Sequence, residues 1–451
     1  MSEAVVGILG FACIVAIVVT LFKSKTLPSI AFIVFPMILA TVLVVTGYYS
    51  WDNVASLIKS GFSSTGPTAA LFVFSVLYFG IMTDAGMFDV IIGKLMKLVK
   101  DNVIGVCVMT CIIALIGHLD GGGASTFCIV VPAMLPVYKK MHMRPTTLLQ
   151  IAVLAMGVLN LMPWAGPTMR AASVLGIEAG ELWQTLLPIQ SFGIVLALAH
   201  AVICGVIEKK RGAGMNGKLA QIEGEVVISD TEDTAAQNEL ARPKLFLFNI
   251  VLTLAVIALL IVDIFPSYVP FMIGVAASIL VNYPGSKLQK KVINSHAGPA
   301  LMMCSTLMGA AVLMGVLVKN VEGTTSVITC MSNLISSVLP AALGRHLPLV
   351  IGVLSVPLAL AFDTDSYFYG MLPVMIGIGE GFGIAALPIA VAMVVCRNCA
   401  TFISPMVPAT LLGVGLADID IKDHIKNSFL WVWGFSILCM IVAIIFGIIP
   451  V

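Results

Sequence analysis

Long uncharged runs recur along this chain of 451 residues, at 4–22, 27–51, 102–117, 145–169, 245–262 and 428–451. An α-helix needs about 20 predominantly apolar residues to cross the hydrocarbon of a bilayer, whereas a membrane β-strand shows only about 10 alternating ones. The runs therefore restrict the chain to an all-α polytopic membrane protein. Composition agrees, with only 10% charged residues and a mean hydropathy of +1.08, where a soluble domain carries about 25% charged residues. The run at 4–22 follows MSE without a basic region and precedes KSKTLPS without a small-residue cleavage pattern, so it reads as a retained helix. A net charge of +1 excludes a strongly basic nucleic-acid binder. The close pair Cys396 and Cys399 has no second pair or histidine cluster to complete a metal site.

One polar segment, residues 208–243, divides the chain into a first membrane repeat, 1–207, and a second, 244–451. The halves share an order of landmarks. Ser125 precedes Pro132 by the spacing at which Ser366 precedes Pro373, and both serines follow an aspartate, Asp120 and Asp363. Asn160 precedes Pro167 as Asn398 precedes Pro405, and GIEAGEL and GLADIDI come next. Repeated order of this kind marks structural repeats. Each half is expected to hold a re-entrant hairpin (103–137 and 346–380) and a broken transmembrane helix (147–180 and 384–420). If the N-terminus is outside, the first half crosses an odd number of times, the linker is cytoplasmic and the second half is inverted. Lys23, Lys25, Lys94, Lys97, Lys100, Lys139, Lys140, Arg144, Lys287, Lys290, Lys291, Lys422 and Lys426 then all fall inside, with Lys59, Lys319 and Arg345 outside. That distribution satisfies the positive-inside rule.

Four polar interruptions carry the chemistry. HLDGGGASTF, 118–127, places an aspartate and three glycines between apolar runs, where irregular backbone is tolerated only if packed in protein or lining a cavity. Consecutive glycines admit a tight turn, Ser125 and Thr126 suit the cap of the returning helix, and the N-terminus of that helix suits an anion. A plain surface loop is the alternative, but AFDTDSYFYGMLP, 361–373, repeats the arrangement. LNLMPWAGPTMR, 159–170, and CRNCATFISPMVPAT, 396–410, place asparagine, proline and hydroxyl residues midway along apolar spans. Such helices break near the midplane and offer freed carbonyls to a cation or substrate; a proline kink without a ligand is the other reading. Arg170 and Arg397 are basic residues away from any membrane edge, and both are expected within the interruptions. Ionisable groups at that depth are functional by default, and a guanidinium suits a carboxylate. A structural pairing with Asp120, Asp363 or Asp365 is the competing role. His118 is read either as a proton relay or as a satisfied histidine at a helix end.

At these residues, together with AMLPVYKKM, NLMPWAGPTMRAASVLG, FDTDSYFYGMLPV and SPMVPATLLGVGLADIDIKDH, the chain resembles the citrate:metal:proton symporter family of the ion transporter superfamily. The resemblance implies a homodimeric elevator transporter, with a scaffold domain and a moving domain made of the two hairpins and the two broken helices. It implies citrate, or a similar tri- or dicarboxylate, carried through the cell membrane as a complex with a divalent metal and driven by protons, with no organic cofactor. Carried over by position, the substrate site comprises Gly121, Gly122, Gly123, Ser125, Thr126, Asn160, Trp164, Gly166, Thr168, Thr364, Ser366, Asn398, Thr401 and Ser404. Asp120, Asp363 and Asp365 would couple protons or cations and lie near the metal. Arg170 and Arg397 join that set on depth and charge. Gly122 stands where many members of the family are expected to place a second acidic residue. A sodium-coupled or metal-independent carrier remains the alternative. An enzyme is disfavoured, since neither HExxH, GxSxG nor a nucleotide-phosphate motif occurs.

Overall fold

The computed structural model describes residues 1–23, 26–97, 102–214, 239–262, 264–336 and 339–450. Of the expected linker, 215–238 lies outside the described residues, as do Lys25 and Lys100. Among the described residues the chain is helical and holds no strand, apart from an isolated bridge between Val321 and Thr324. Among the described residues eight helices are long and apolar enough to span a bilayer.

The first half runs Glu3–Phe22, Pro28–Val45, Trp51–Asp84, Met87–Met96, the pair Val103–Gly117 and Gly123–Lys140, the pair Pro145–Leu159 and Gly166–Leu175, and Ala179–Arg211. The second half follows the same order: Phe246–Val262, Tyr268–Asn282, Ser286–Val318, Val327–Ser336, a short Ala341–Arg345, then Leu347–Ala359 with Leu372–Gly381, Ala386–Cys399 with Pro408–Leu416, and Ile421–Ile445. Proline begins Pro28–Val45, Pro145–Leu159 and Pro408–Leu416, where its missing N–H costs no hydrogen bond. Ala179–Arg211 stays helical past residue 208, where the polar linker is expected to begin, because Glu208 is buried and paired with Arg144 at 2.6 Å and Arg211 at 3.0 Å.

The long helices Trp51–Asp84 and Ser286–Val318 pack along each other, and Ser286–Val318 also packs against Pro28–Val45. Small residues permit it: a methyl group on Gly315 would lie 2.6 Å from the Leu57 carbonyl oxygen. From Thr306 onward the Met-rich run 301–315 is therefore a packing surface of the small-residue kind that membrane helices use, while Leu301 and Met302 are exposed. A second set of helices gathers Val103–Gly117, Pro145–Leu159, Ala179–Arg211, Ala386–Cys399 and Ile421–Ile445. Pro145–Leu159 and Ala386–Cys399 have 15 and 14 residues, about 21 to 23 Å at 1.5 Å per residue. That is short of a roughly 30 Å hydrocarbon layer, so neither is long enough to cross it alone.

Candidate functional site

At the tip of the first pair, a turn of 3-10 helix, His118–Asp120, leads through Gly121 at φ 70° to the helix that begins at Gly123. The left-handed Gly121 closes the turn where a side chain would be strained. Asp120 accepts the Gly122 N–H at 2.7 Å and the Ser125 hydroxyl. Ser125 and Thr126 do not cap this helix as their position suggests. Both lie inside its first turn and donate back to the Gly122 carbonyl, at 2.8 and 2.7 Å. The capping partner of a free N–H is Asp120 instead, two residues before Gly122. Trp164 Nε1–H donates to the Leu119 carbonyl at 2.8 Å and fixes the tip against the first helix break. His118, fully buried, bridges Thr126 Oγ1 at 2.7 Å and Asn160 Oδ1 at 3.1 Å.

The second tip is built differently. Leu347–Ala359 ends at an irregular stretch and resumes as a π-helical turn, Ser366–Met371, a form that recurs at functional sites. Asp363 accepts from the Ser366 N–H and hydroxyl, both at 2.8 Å. Asp365 receives Arg170 Nε–H at 2.6 Å. Arg170 also approaches the Met303 sulfur at 3.8 Å, and Gly166 has no room for a side chain because Arg170 Nη1 occupies that space.

The two breaks meet behind this tip. Asn160 follows Pro145–Leu159, its carbonyl accepts from Thr168 at 2.7 Å, and the same carbonyl accepts from Asn398 Nδ2 at 3.0 Å. Arg397 is wholly buried; it donates to the Thr401 hydroxyl at 3.1 Å and to the Phe362 carbonyl and the Thr364 hydroxyl at 3.4 Å. Tyr367 lies below it, ring centroid 5.7 Å from the guanidinium carbon. Ser404 is buried and accepts the Met406 N–H at 3.2 Å, so it shapes the second break. Neither arginine lies within a break: Arg170 is in the helix that follows the first, and Arg397 in the last turn of the helix that precedes the second. A helical backbone aims each guanidinium more firmly than irregular chain would.

A cavity of about 640 Å³ opens at the second tip, lined by Asp363, Thr364, Asp365, Arg170, Leu21, Thr26, Leu27, Pro28 and 406–408. No residue of the first tip lines it. The sequence-level site thus divides into a pocket at the second tip lined by Arg170, with Arg397 buried behind Thr364, and a separate first-tip cluster of Asp120, Ser125, Thr126 and His118 joined to it through Asn160 and Asn398. Met303, Phe362, Tyr367 and the loop between the first two helices were invisible to motif reading, since an apolar side chain or a carbonyl carries no signal of its own. Among the described residues no group of three or more His, Cys, Asp or Glu is arranged to hold a resident metal.

Comparison with known proteins gives one consistent result. Residues 6–396 match the family model described as "CitMHS: Citrate transporter". A citrate transporter of Bacillus subtilis (strain 168) is 34% identical over 98% of this chain and 99% of its own length. A Mg(2+)/citrate complex secondary transporter of the same organism is 31% identical over 99% of both chains. Among solved structures, the Alcanivorax borkumensis YdaH transporter superposes with a TM-score of 0.61 over 94% of this chain and 99% of that one, at 14% identity. That likeness speaks for the fold.

Proposed function

The chain belongs to the citrate transporter family and is a multi-pass membrane protein, and from that premise we propose that it carries citrate or a similar tri- or dicarboxylate as a divalent-metal complex in symport with protons. The observation that carries the reading is Arg397, a fully buried guanidinium without a carboxylate partner among the described residues, whose Nε–H is unpartnered. A buried guanidinium that no carboxylate touches is costly, and a carboxylate is the ligand that its planar fork fits.

Charge supports the metal and the proton. The two guanidinium charges of Arg170 and Arg397 cancel the two carboxylates Asp363 and Asp365 at the second tip. A trivalent citrate would add three negative charges to a desolvated site, whereas its complex with a divalent cation adds one. A single proton taken up on Asp363 or Asp365 restores neutrality. A relative named for the Mg(2+)/citrate complex supports the metal as cargo. The substrate site would centre on Arg397, Arg170, Thr364, Ser366, Thr401, Asn160 and Asn398, with Trp164, Gly121–Gly123 and Thr168 shaping it.

Transport would proceed by an elevator movement of the hairpins and broken helices against the long-helix scaffold, in a homodimer with the N-terminus outside and the linker cytoplasmic. Uptake of labelled citrate into proteoliposomes tests the reading, under an inward proton or sodium gradient, with and without Mg²⁺. Dependence on protons and metal together is expected, and Arg397→Ala should lower uptake more than about a hundredfold. Metal-free uptake driven by sodium would overturn the metal-complex and proton reading. Cysteines placed at Lys139 and Arg345 should label from opposite sides of the membrane; labelling from one side would remove the inverted arrangement.

A further inference from the structure

A third polar region lies apart from both tips. A cavity of about 790 Å³ opens at the start of the long helix Ser286–Val318, and its walls include Glu239, Ser286, Lys287, Lys290, Lys291 and Asn294. Lys291 pairs with Glu239 at 2.6 Å, while Lys287 and Lys290 have no carboxylate partner among the described residues. Three ammonium groups against one carboxylate leave the cavity with two positive charges in excess.

Hydrogen bonds fix its rim. Arg242 Nε–H donates to the Asn282 carbonyl at 2.9 Å, and the guanidinium lies over the Tyr283 ring, 5.0 Å from its centroid. Tyr283 donates its hydroxyl to the Leu240 carbonyl at 2.9 Å, and Asn249 and Asn282 exchange amide hydrogen bonds at 3.0 and 2.8 Å. These bonds hold residues 239–242 against the turn at 283–285, so that Glu239 and the lysines line one open space.

Depth and surroundings indicate what meets it there. Ser286–Val318 has 33 residues, about 50 Å at 1.5 Å per residue, against about 40–45 Å for a bilayer with its headgroups. The lysines occupy its first two turns, which such a span leaves in the headgroup layer. Leu280 and Val281, just before the turn, are 64% and 42% exposed, and Ile293, just after Lys291, is 40% exposed. A small free anion would find only the charges. A phospholipid finds charges for its phosphate and apolar surface for its chains.

We propose that this cavity binds the headgroup of an anionic phospholipid, with the phosphodiester held by Lys287 and Lys290 and the chains over the apolar surface beside it. Basic pockets between membrane helices suit that chemistry, and each lysine near an anionic headgroup strengthens binding about fivefold. The bound lipid ties the start of Ser286–Val318 to one leaflet, and with it the Trp51–Asp84 helix packed along its length.

The experiment titrates the purified full-length protein in detergent with phosphatidylglycerol, and separately with phosphatidylcholine of the same chains, and counts bound lipids by native mass spectrometry. The first phosphatidylglycerol should bind the wild type about thirtyfold more tightly than phosphatidylcholine. Lys287→Gln combined with Lys290→Gln should bring that preference close to one. Lys139→Gln combined with Lys140→Gln, which removes the same charge elsewhere, should leave it intact. A wild-type preference near one overturns the proposal and needs no variant to fold. So does an unchanged preference in the Lys287 and Lys290 variant, or an equal loss in the control, which would reduce the binding to general charge attraction. Displacement of phosphatidylglycerol by millimolar citrate or inorganic phosphate would also overturn it, since the cavity would then be a mouth for soluble anions.

Discussion

The two tips answer the same problem, an aspartate between two apolar helices, in opposite ways. At the first, Asp120 is satisfied within five positions of its own place in the chain, by the Gly122 N–H and the Ser125 hydroxyl, and the tip is clamped by Trp164. At the second, Asp363 is held locally by Ser366 while Asp365 reaches across the fold to Arg170 of the other half, and both carboxylates border a cavity. A tip that closes on itself is a rigid part. A tip whose charge balance depends on a distant partner is one that a ligand or proton can perturb, and the proposed function puts the working charges there.

The strongest way to break this comparison is to remove one charge from each tip. Arg170 and Asp365 are 8% and 17% exposed as side chains, and truncating one member of a buried pair costs about 3 to 5 kcal/mol because the other is left uncompensated. Asp365→Asn should therefore lower the thermal unfolding temperature of the purified protein markedly. Asp120→Asn keeps an oxygen for the Gly122 N–H and loses at most a charged hydrogen bond, about 1.5 to 3 kcal/mol. Equal losses would show that the tips are energetically equivalent.

Under the proposed proton coupling, the tips should separate by function. Asp363→Asn should reduce citrate uptake at least about tenfold, following the central role of such carboxylates in proton relays, and should flatten its dependence on pH. Asp120→Asn should keep a pH-dependent uptake, since Asp120 is outside the cavity lining. Initial rates across a pH series decide it: a flat profile in the Asp120 variant with a normal one in the Asp363 variant would move the coupling to the first tip.

Much of the architecture was legible because membrane insertion writes itself in one dimension. The runs 4–22, 102–117 and 245–262 end where helices end, whereas 145–169 runs through a break, and DGGGAST and DTDSYF mark irregular backbone because glycine and short polar residues have few other uses inside a bilayer. The break at Asn160 and that at Asn398 were legible for the same reason. The pairing of Arg170 with Asp365 rather than Asp120 was not, since it joins residues 195 positions apart and any of three aspartates satisfies the charge argument. Nor was the capping of the first tip, where Ser125 stands at a spacing that suits either a cap or an inward-facing hydroxyl. Sequence pattern names the chemistry at each break; which half supplies the partner is settled by packing.

The smallest expected effect tests the rigidity half of the comparison. A methyl group on Gly123, at the start of the returning helix of the first tip, would collide with the Phe402 ring and lie 3.0 Å from the Ala409 side chain. The ring itself is held edge-on against His118 and Phe127, at centroid distances of 5.3 and 5.9 Å, so it cannot swing aside without disturbing both. Overpacking of this kind costs about 1 to 3 kcal/mol. Gly370, in the π-helical turn of the second tip, would place the same methyl group no closer than 3.7 Å from Val18, ordinary van der Waals distance. Gly123→Ala should therefore destabilise the protein by about 1 to 3 kcal/mol, and Gly370→Ala by less than about 0.5 kcal/mol, the usual range for a substitution that meets no steric conflict. Thermal unfolding of the two variants in the same detergent measures the difference. If Gly370→Ala proves the costlier, the second tip is the more tightly packed of the two, and its exposure to the cavity reflects shape alone rather than a capacity to move.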